Sequence, residues 1–488
     1  MPLSILIWLP AASALLGALL PGRAARAAYV TGALATLGLS IAVLVQFDHG
    51  PDFVTDVAWI RELGIRYHLA VDGVNIALIL LATILFAATA IWSAMRVWER
   101  ERGFYLWLGI AESAVLGALT AQDLALFVAF FDLMLVPFYF LTGQWGIGPN
   151  RVAGVTKLVI YTLVGSLLML AAAVATAVLA SNGANEHLNF SLQYLADHRL
   201  GTGSQEWIFL CFAAAFLVKM PAFPLHGWMP DGYSAMPLPV LAVFSGVLSK
   251  VAAYGFLRIC LPIFPDATSH FQDLMLLISL ASILYGSVMA FTTTNTRLIL
   301  GYSSVAQLGF ITLGIFSLTQ QGSQGAILQA FNHGIVVAPA FFIVALLAAR
   351  AGGSEDIRQM GGIAFRAPVL ATLFLIVALA NLAMPGSSNF VGEFLILLGV
   401  FNAKIVIAIL AFTGVVLASV YTLRLFIRSM HNRVGPHVVS REISFADGLV
   451  IAPLVAVILA VALYPQLALD RSESSVKASI RNAKAMSR

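Results

Sequence analysis

The sequence predicts an all-α polytopic membrane protein, and three observations carry that prediction. Apolar stretches of roughly 18–25 residues recur along the whole chain, each long enough to cross a hydrocarbon core. Hydrophobic residues make up 60% of the 488 residues and charged residues only 10%, far outside the range of soluble proteins. No polar stretch is long enough to separate domains, so residues 1–488 read as a single integral membrane domain embedded in the lipid bilayer. The net charge of +4 comes from basic residues scattered through short loops and gives no nucleic-acid footprint. Cys211 and Cys260 lie in apolar runs, with no CxxC or Cys/His cluster to suggest a disulfide framework or an iron–sulfur centre.

Hydropathy divides the chain into about fourteen spans. The first two run near Leu3–Leu20 and Ala28–Val45; the first lacks a basic start and a small-residue cleavage site, so it reads as a span, not a signal peptide. A wetter loop through Asp48, Asp52, Asp56, Arg61, Glu62 and Arg66 leads to the third span, Gly73–Met95, which ends in the charged run Trp98–Gly103. The fourth to sixth spans lie near Phe104–Thr120, Leu124–Leu141 and Val155–Leu179. A polar loop holding Glu186, His187, Asp197, His198 and Arg199 precedes the seventh, around Trp207–His226, and later spans centre near Val247, Ile283, Phe310, Val336, Ala380, Val415 and Ala456.

Basic residues fall unevenly on the two sides of this scheme. Arg23, Arg96, Arg151, Lys157, Arg297, Arg350 and Arg428 share one side, while the other holds only Arg61, Arg66, Arg199, Arg258 and Lys404 before the tail. The positive-inside rule makes the richer side cytoplasmic and puts both termini outside, with the basic tail (Arg471, Lys477, Arg481, Lys484, Arg488) as an exception. A weak internal repeat sets Lys219-Met220-Pro221 against Ala383-Met384-Pro385, and Gly246–Arg258 against Gly414–Arg424. The offset is roughly 165 residues and about five spans; that odd number gives the copies opposite orientations, and paired broken helices of this kind point to an ion path near the midplane. The expected division is 1–103 N-terminal helices, 104–262 first repeat, 270–430 second repeat, and 445–488 last helix and tail.

Ionisable residues inside the spans are the candidates for chemistry, because each costs about 2.5–3.5 kcal/mol at membrane depth unless it has a partner or a watered path. Asp132 sits mid-span, and Pro137 removes the hydrogen bond to the Leu133 carbonyl beside it. Its alternative is a structural pairing with another helix. Lys219 lies before Pro221 and Pro224, which are expected to free the carbonyls of Leu217 and Met220; a lysine snorkelling to the interface is the competing reading. A carboxylate that approaches such a lysine favours its charged form, and one that retreats lets it release a proton. Lys250 is about ten residues from either interface, too deep to snorkel easily. His333 is also deep, and imidazole changes charge near neutral pH. Glu393 follows the Pro385-Gly386 break, one turn from Asn389 on the resumed helix, where it either caps the half-helix or takes part in conduction. His226 and Gln307 are additional candidates, whereas Glu112, Asp123 and Arg297 serve equally well as interface anchors. Metal, nucleotide and nucleophile motifs are lacking, so the acids and bases read as a proton or cation wire.

The runs LALFVAFFDLMLVPFYFLTGQWG, AAFLVKMPAFPLHGWMPD, GVLSKVAAYGFLRI, TRLILGYSSVAQLGF and LAMPGSSNFVGEFLIL together resemble the antiporter-like subunits of respiratory complex I, the proton-pumping NADH:quinone oxidoreductase. The resemblance covers Gly73 to about Arg428, and the glutamate at 393 is similar to the M (chain 4) type within that family. It implies fourteen core helices with two inverted five-helix repeats, discontinuous helices 7 and 12, and a proton path through the membrane middle. It also implies proton-translocation roles for Asp132, Lys219, Lys250, His333 and Glu393, with His226 and Gln307 as possible additions. Asp132 would be the acid partner of Lys219. NADH, FMN, iron–sulfur clusters and quinone are expected in partner subunits and no cofactor in this chain; the expected neighbours are L-type and N-type subunits in a bacterial-type inner membrane.

Two departures from the family pattern stand out. Asp132 replaces the usual glutamate, one methylene shorter toward Lys219, and Gln307 replaces the usual histidine of the tenth span, so a relay there has to rely on water. The residues leave two alternatives: a subunit of a multisubunit cation/proton antiporter or membrane-bound hydrogenase, and a scaffold that has lost conduction.

Overall fold

A computed structural model describes residues 3–48, 50–181 and 188–486, so Glu186, His187 and Arg488 lie outside the described residues. The chain forms a helical membrane fold. In order these are α1 (Leu3–Ala18), α2 (Gly22–Gln46), α3 (Ile76–Ala94), α4 (Glu101–Thr120), α5 (Leu124–Trp145), α6 (Arg151–Ala180), α7 (Thr202–Lys219) and α8 (Leu238–Ile263). The second half continues with α9 (Gln272–Thr292), α10 (Thr296–Phe316), α11 (Gln320–Arg350), α12 (Pro368–Asn381), α13 (Ser388–Ala403), α14 (Ile405–Met430), α15 (Phe445–Leu463) and α16 (Gln466–Met486). Among the described residues, 11 helices are long and apolar enough to cross a membrane, and α1, α12 and α13 are shorter apolar helices.

Burial separates lipid-facing helices from the interior. The α6 surface exposes Ile160, Val164, Leu167 and Leu168, which in water would be a liability and in lipid is the ordinary outer face. By contrast α8, α10 and α11 are buried around almost their whole circumference, so their polar side chains meet protein and not lipid. Charged clamps close both ends of this interior. At one end Arg297 (1% exposed) donates to Glu355 at 2.5 Å and to the carbonyls of Tyr233 and Met236 behind the α7 break. At the other, Arg258 pairs with Asp72 and donates to Tyr254 Oη at 3.0 Å, tying α8 to the start of α3.

Two stretches correct the sequence reading. The wet loop after α2 is an antiparallel hairpin, β1 (Asp52–Ile60) and β2 (Ile65–Val71), an extramembrane addition to an otherwise helical chain. The hairpin caps helix ends: Asp123 accepts the Arg66 amide at 3.1 Å, and Gln122 N–H donates to the His68 carbonyl. The basic tail is the amphipathic helix α16, which buries Val476, Ile480 and Ala483 at three- and four-residue spacing.

Candidate proton path

The broken seventh span positions Lys219. Helix α7 stops at Lys219, and a short helical turn, Met229–Ala235, follows the break. Pro221 and Pro224 do free backbone there, but the Leu217 carbonyl is retaken by the Ala222 amide at 2.9 Å, against the sequence expectation that it stays open. The Val218 carbonyl accepts Trp228 Nε1 at 2.9 Å. Lys219 is 6% exposed; its Nζ donates to the Phe131 carbonyl at 3.2 Å and stands 4.3 Å above the Phe131 ring.

Asp132, the next residue along, makes no ion pair with Lys219 within 4.0 Å among the described residues, and its Oδ1 is buried without a hydrogen-bond partner. The carboxylate is close enough to act on Lys219 electrostatically, and Ser166 of α6 is its polar neighbour. Helix α5 is interrupted at Met134, between Leu133 and Leu135. The proline three residues further on accounts for that interruption, which lies two residues beyond Asp132.

Lys250 sits on a seven-residue α-helical segment of α8, between π-helical turns at Phe244–Leu248 and Phe256–Cys260. A π turn widens the helix and leaves carbonyls without their usual amide partners. Lys250 Nζ takes one of these, the Ser245 carbonyl, at 2.7 Å, along with Ser249 Oγ at 3.3 Å and His333 Nδ1 at 2.8 Å. When Lys250 is an ammonium it can only donate, so Nδ1 then accepts and the imidazole proton sits on Nε2. That Nε2 is buried and has no protein partner.

One turn along α11 from His333 lies Gln329, on the same face. Its amide donates to Gln307 Oε1 at 2.7 Å, and Gln307 Nε2 donates to Glu393 Oε1 at 2.8 Å. Gln329 also reaches Glu393 Oε1 at 3.4 Å, while Glu393 Oε2 has no protein partner. Sequence reasoning missed Gln329; its four-residue spacing from His333 was the available signal. Asn332, also missed, donates to the Ser388 carbonyl at 2.6 Å at the start of α13, beside buried Asn389. His226 stands apart: its ring packs against Tyr285 (4.6 Å) and Phe223, and no hydrogen bond joins it to either lysine.

The structure thus brings together Lys250 with His333, and Gln307 with Glu393, at membrane depth. Residues 121–418 match the family described as NADH:quinone oxidoreductase/Mrp antiporter, TM, a segment that holds every one of these groups. The chain belongs to that family. Relatives match over nearly the whole length. The NADH-quinone oxidoreductase subunit M of Rhodobacter capsulatus is 35% identical over 98% of this chain and 96% of its own, and that of Escherichia coli (strain K12) is 35% identical over 91% of each. Among solved structures, a chain of respiratory complex I from Thermus thermophilus with bound NADH superposes with a TM-score of 0.88 at 29% identity, covering 97% of this chain and 99% of that one. A chain of the Mrp complex from Dietzia sp. DQ12-45-1b shares the fold, with a TM-score of 0.84 at 22% identity, 99% of this chain and 98% of that one being covered. The antiporter-type fold is therefore common to this chain and to both kinds of complex.

Proposed function

We propose that this chain is a proton-translocating membrane subunit of an NADH:quinone oxidoreductase, of the M type. Identity to the named relatives over nearly full length supports the assignment. The observation that carries the mechanism is the Lys250–His333 contact, with the Gln329–Gln307–Glu393 ladder one helical turn away. NADH, FMN, iron–sulfur chemistry and quinone belong to partner subunits in this reading, with L-type and N-type chains as neighbours. The chain has fourteen spans in a bacterial inner membrane, the broken seventh and twelfth counted as one each, with inverted repeats at 104–262 and 270–430 and both termini outside.

In this reading a proton moves as follows. Asp132 near Lys219 holds the ammonium charged; when α5 shifts about its break at Met134 and the carboxylate retreats, a charge over a phenyl ring and one carbonyl is poorly held and the proton leaves. Lys250 passes its proton to His333 Nδ1, and the imidazole releases the one on Nε2. Buried polar atoms without protein partners are what internal waters bind, and such waters carry the proton past the amides of Gln329 and Gln307. Glu393 receives it on Oε2, since Oε1 is occupied by the ladder, and passes it to the outer side.

In a Lys219→Ala complex that assembles with wild-type subunits, proton uptake driven by NADH oxidation in proteoliposomes is expected to fall about tenfold or more, corresponding to about 1.4 kcal/mol or more on the barrier. Pumping at the wild-type rate in that variant would remove Lys219 from the path.

A further inference from the structure

A cavity of about 390 Å³ opens between α2, α3, α11, α15 and α16, touching α11 at Phe331 and lined by none of the proton path's polar groups. Its walls are apolar: Ile41 and Leu44 of α2, Leu80 and Ile84 of α3, and Phe331 of α11. From Ile76 to Ile84 it follows α3 for eight residues, about 12 Å, against roughly 15 Å for one leaflet's hydrocarbon. Tyr464 and Arg471 lie at the mouth, where α15 gives way to α16.

The arginine is the unusual feature. One Arg471 Nη donates to the Leu467 carbonyl at 3.2 Å; its Nε is buried with no hydrogen-bond partner, and no carboxylate pairs with it among the described residues. The helix that carries it is held firmly. Gly73 N–H donates to Ser475 Oγ at 3.1 Å, and a Cβ on Gly73 would come within 2.0 Å of the Arg471 carbonyl oxygen, so only glycine lets α16 seat this closely on the start of α3. The backbone that carries the guanidinium is thereby fixed beside an apolar slot nearly one leaflet deep.

We propose that this cavity is a binding site for one glycerophospholipid: an acyl chain fills the slot between α2, α3 and α11, and Arg471 holds the phosphate. A guanidinium suits a phosphodiester, offering paired donors and a permanent charge, and a tyrosine at headgroup depth suits the interface. A neighbouring helix would fill the slot equally well only if it also brought a carboxylate to Arg471, whereas a phospholipid carries the apolar chain and the anion in one molecule. The inference does not depend on the proton path.

The test is photolabelling of the whole complex, reconstituted into phosphatidylethanolamine vesicles containing a minor fraction of phosphatidylglycerol with a diazirine in its acyl chain. Adducts are expected on the α3 and α11 peptides containing Leu80 and Phe331. Labelling there should drop about tenfold in Arg471→Ala and in Ala77→Phe, where the added ring on the cavity wall of α3 fills the slot, and recover in part in Arg471→Lys, which keeps the charge without the paired donors. Labelling of the exposed α6 face around Val164 should stay constant in all variants. Cavity labelling no stronger than that of α6, or unchanged in both the Ala and Phe variants, would overturn the proposal. So would a photocrosslinker at Ala468 that captures a neighbouring subunit in place of lipid.

Discussion

The two broken spans use the same backbone device and hold their ionisable groups in opposite ways. Each break is closed by an amide reaching back five residues, Ala222 to the Leu217 carbonyl at 2.9 Å and Met384 to the Leu379 carbonyl at 3.1 Å. At the first, Lys219 has one backbone carbonyl and a ring face, and the nearest acid stays beyond contact distance. At the second, Glu393 Oε1 takes two amide donors that are themselves hydrogen-bonded to each other. A charge with few fixed partners responds to a small movement of a neighbouring charge, whereas one embedded in a closed ladder stays put. The first break suits a switch and the second a fixed acceptor.

Glu393→Gln puts the largest strain on that comparison. It keeps the ladder's shape but removes the proton acceptor, so pumping in reconstituted complex should fall about tenfold or more, as for Lys219→Ala. Retention of half the wild-type rate would mean that the ladder is structural and the proton leaves elsewhere.

Substitutions at Asp132 give a smaller, two-sided effect. Asp132→Asn removes the movable charge and should slow pumping several-fold, within about 1 kcal/mol of barrier. Asp132→Glu adds one methylene toward Lys219 and should close the pair into contact, leaving the rate within about twofold. Should the two variants behave alike, the gap between Asp132 and Lys219 has no part in the switching.

The sequence read the helices well because membrane depth leaves little choice. Every backbone polar group must be bonded within the helix, so apolar runs and proline breaks are direct signals. Lys219, Lys250, His333 and Glu393 stood out because buried charge is expensive. Gln329 and Asn332 did not, since an amide in a helix costs less and draws no attention until its partner is known. The β1–β2 hairpin was hidden by its charges, and α16 by a basic composition that masked the spacing of Val476, Ile480 and Ala483. The separation of Asp132 from Lys219 depends on tertiary placement of α5 against α7, which no local pattern contains.

The smallest effect is expected at Gln307, and it decides how the ladder works. In the wild type, Gln307 cannot accept a proton from its neighbours, so its contribution is to orient Glu393 and fix which oxygen stays open. Gln307→His would place a group with an ordinary pKa of ~6.5 against the same carboxylate oxygen. Above that value the neutral ring can still donate one N–H to Glu393, and the rate should stay within about twofold of wild type. Below it, the imidazolium adds a second route, and the rate should acquire a pH dependence that the amide cannot produce. A His variant with the wild-type pH profile from about pH 5.5 to 8 would show that protons never approach position 307 and reach Glu393 solely through Oε2.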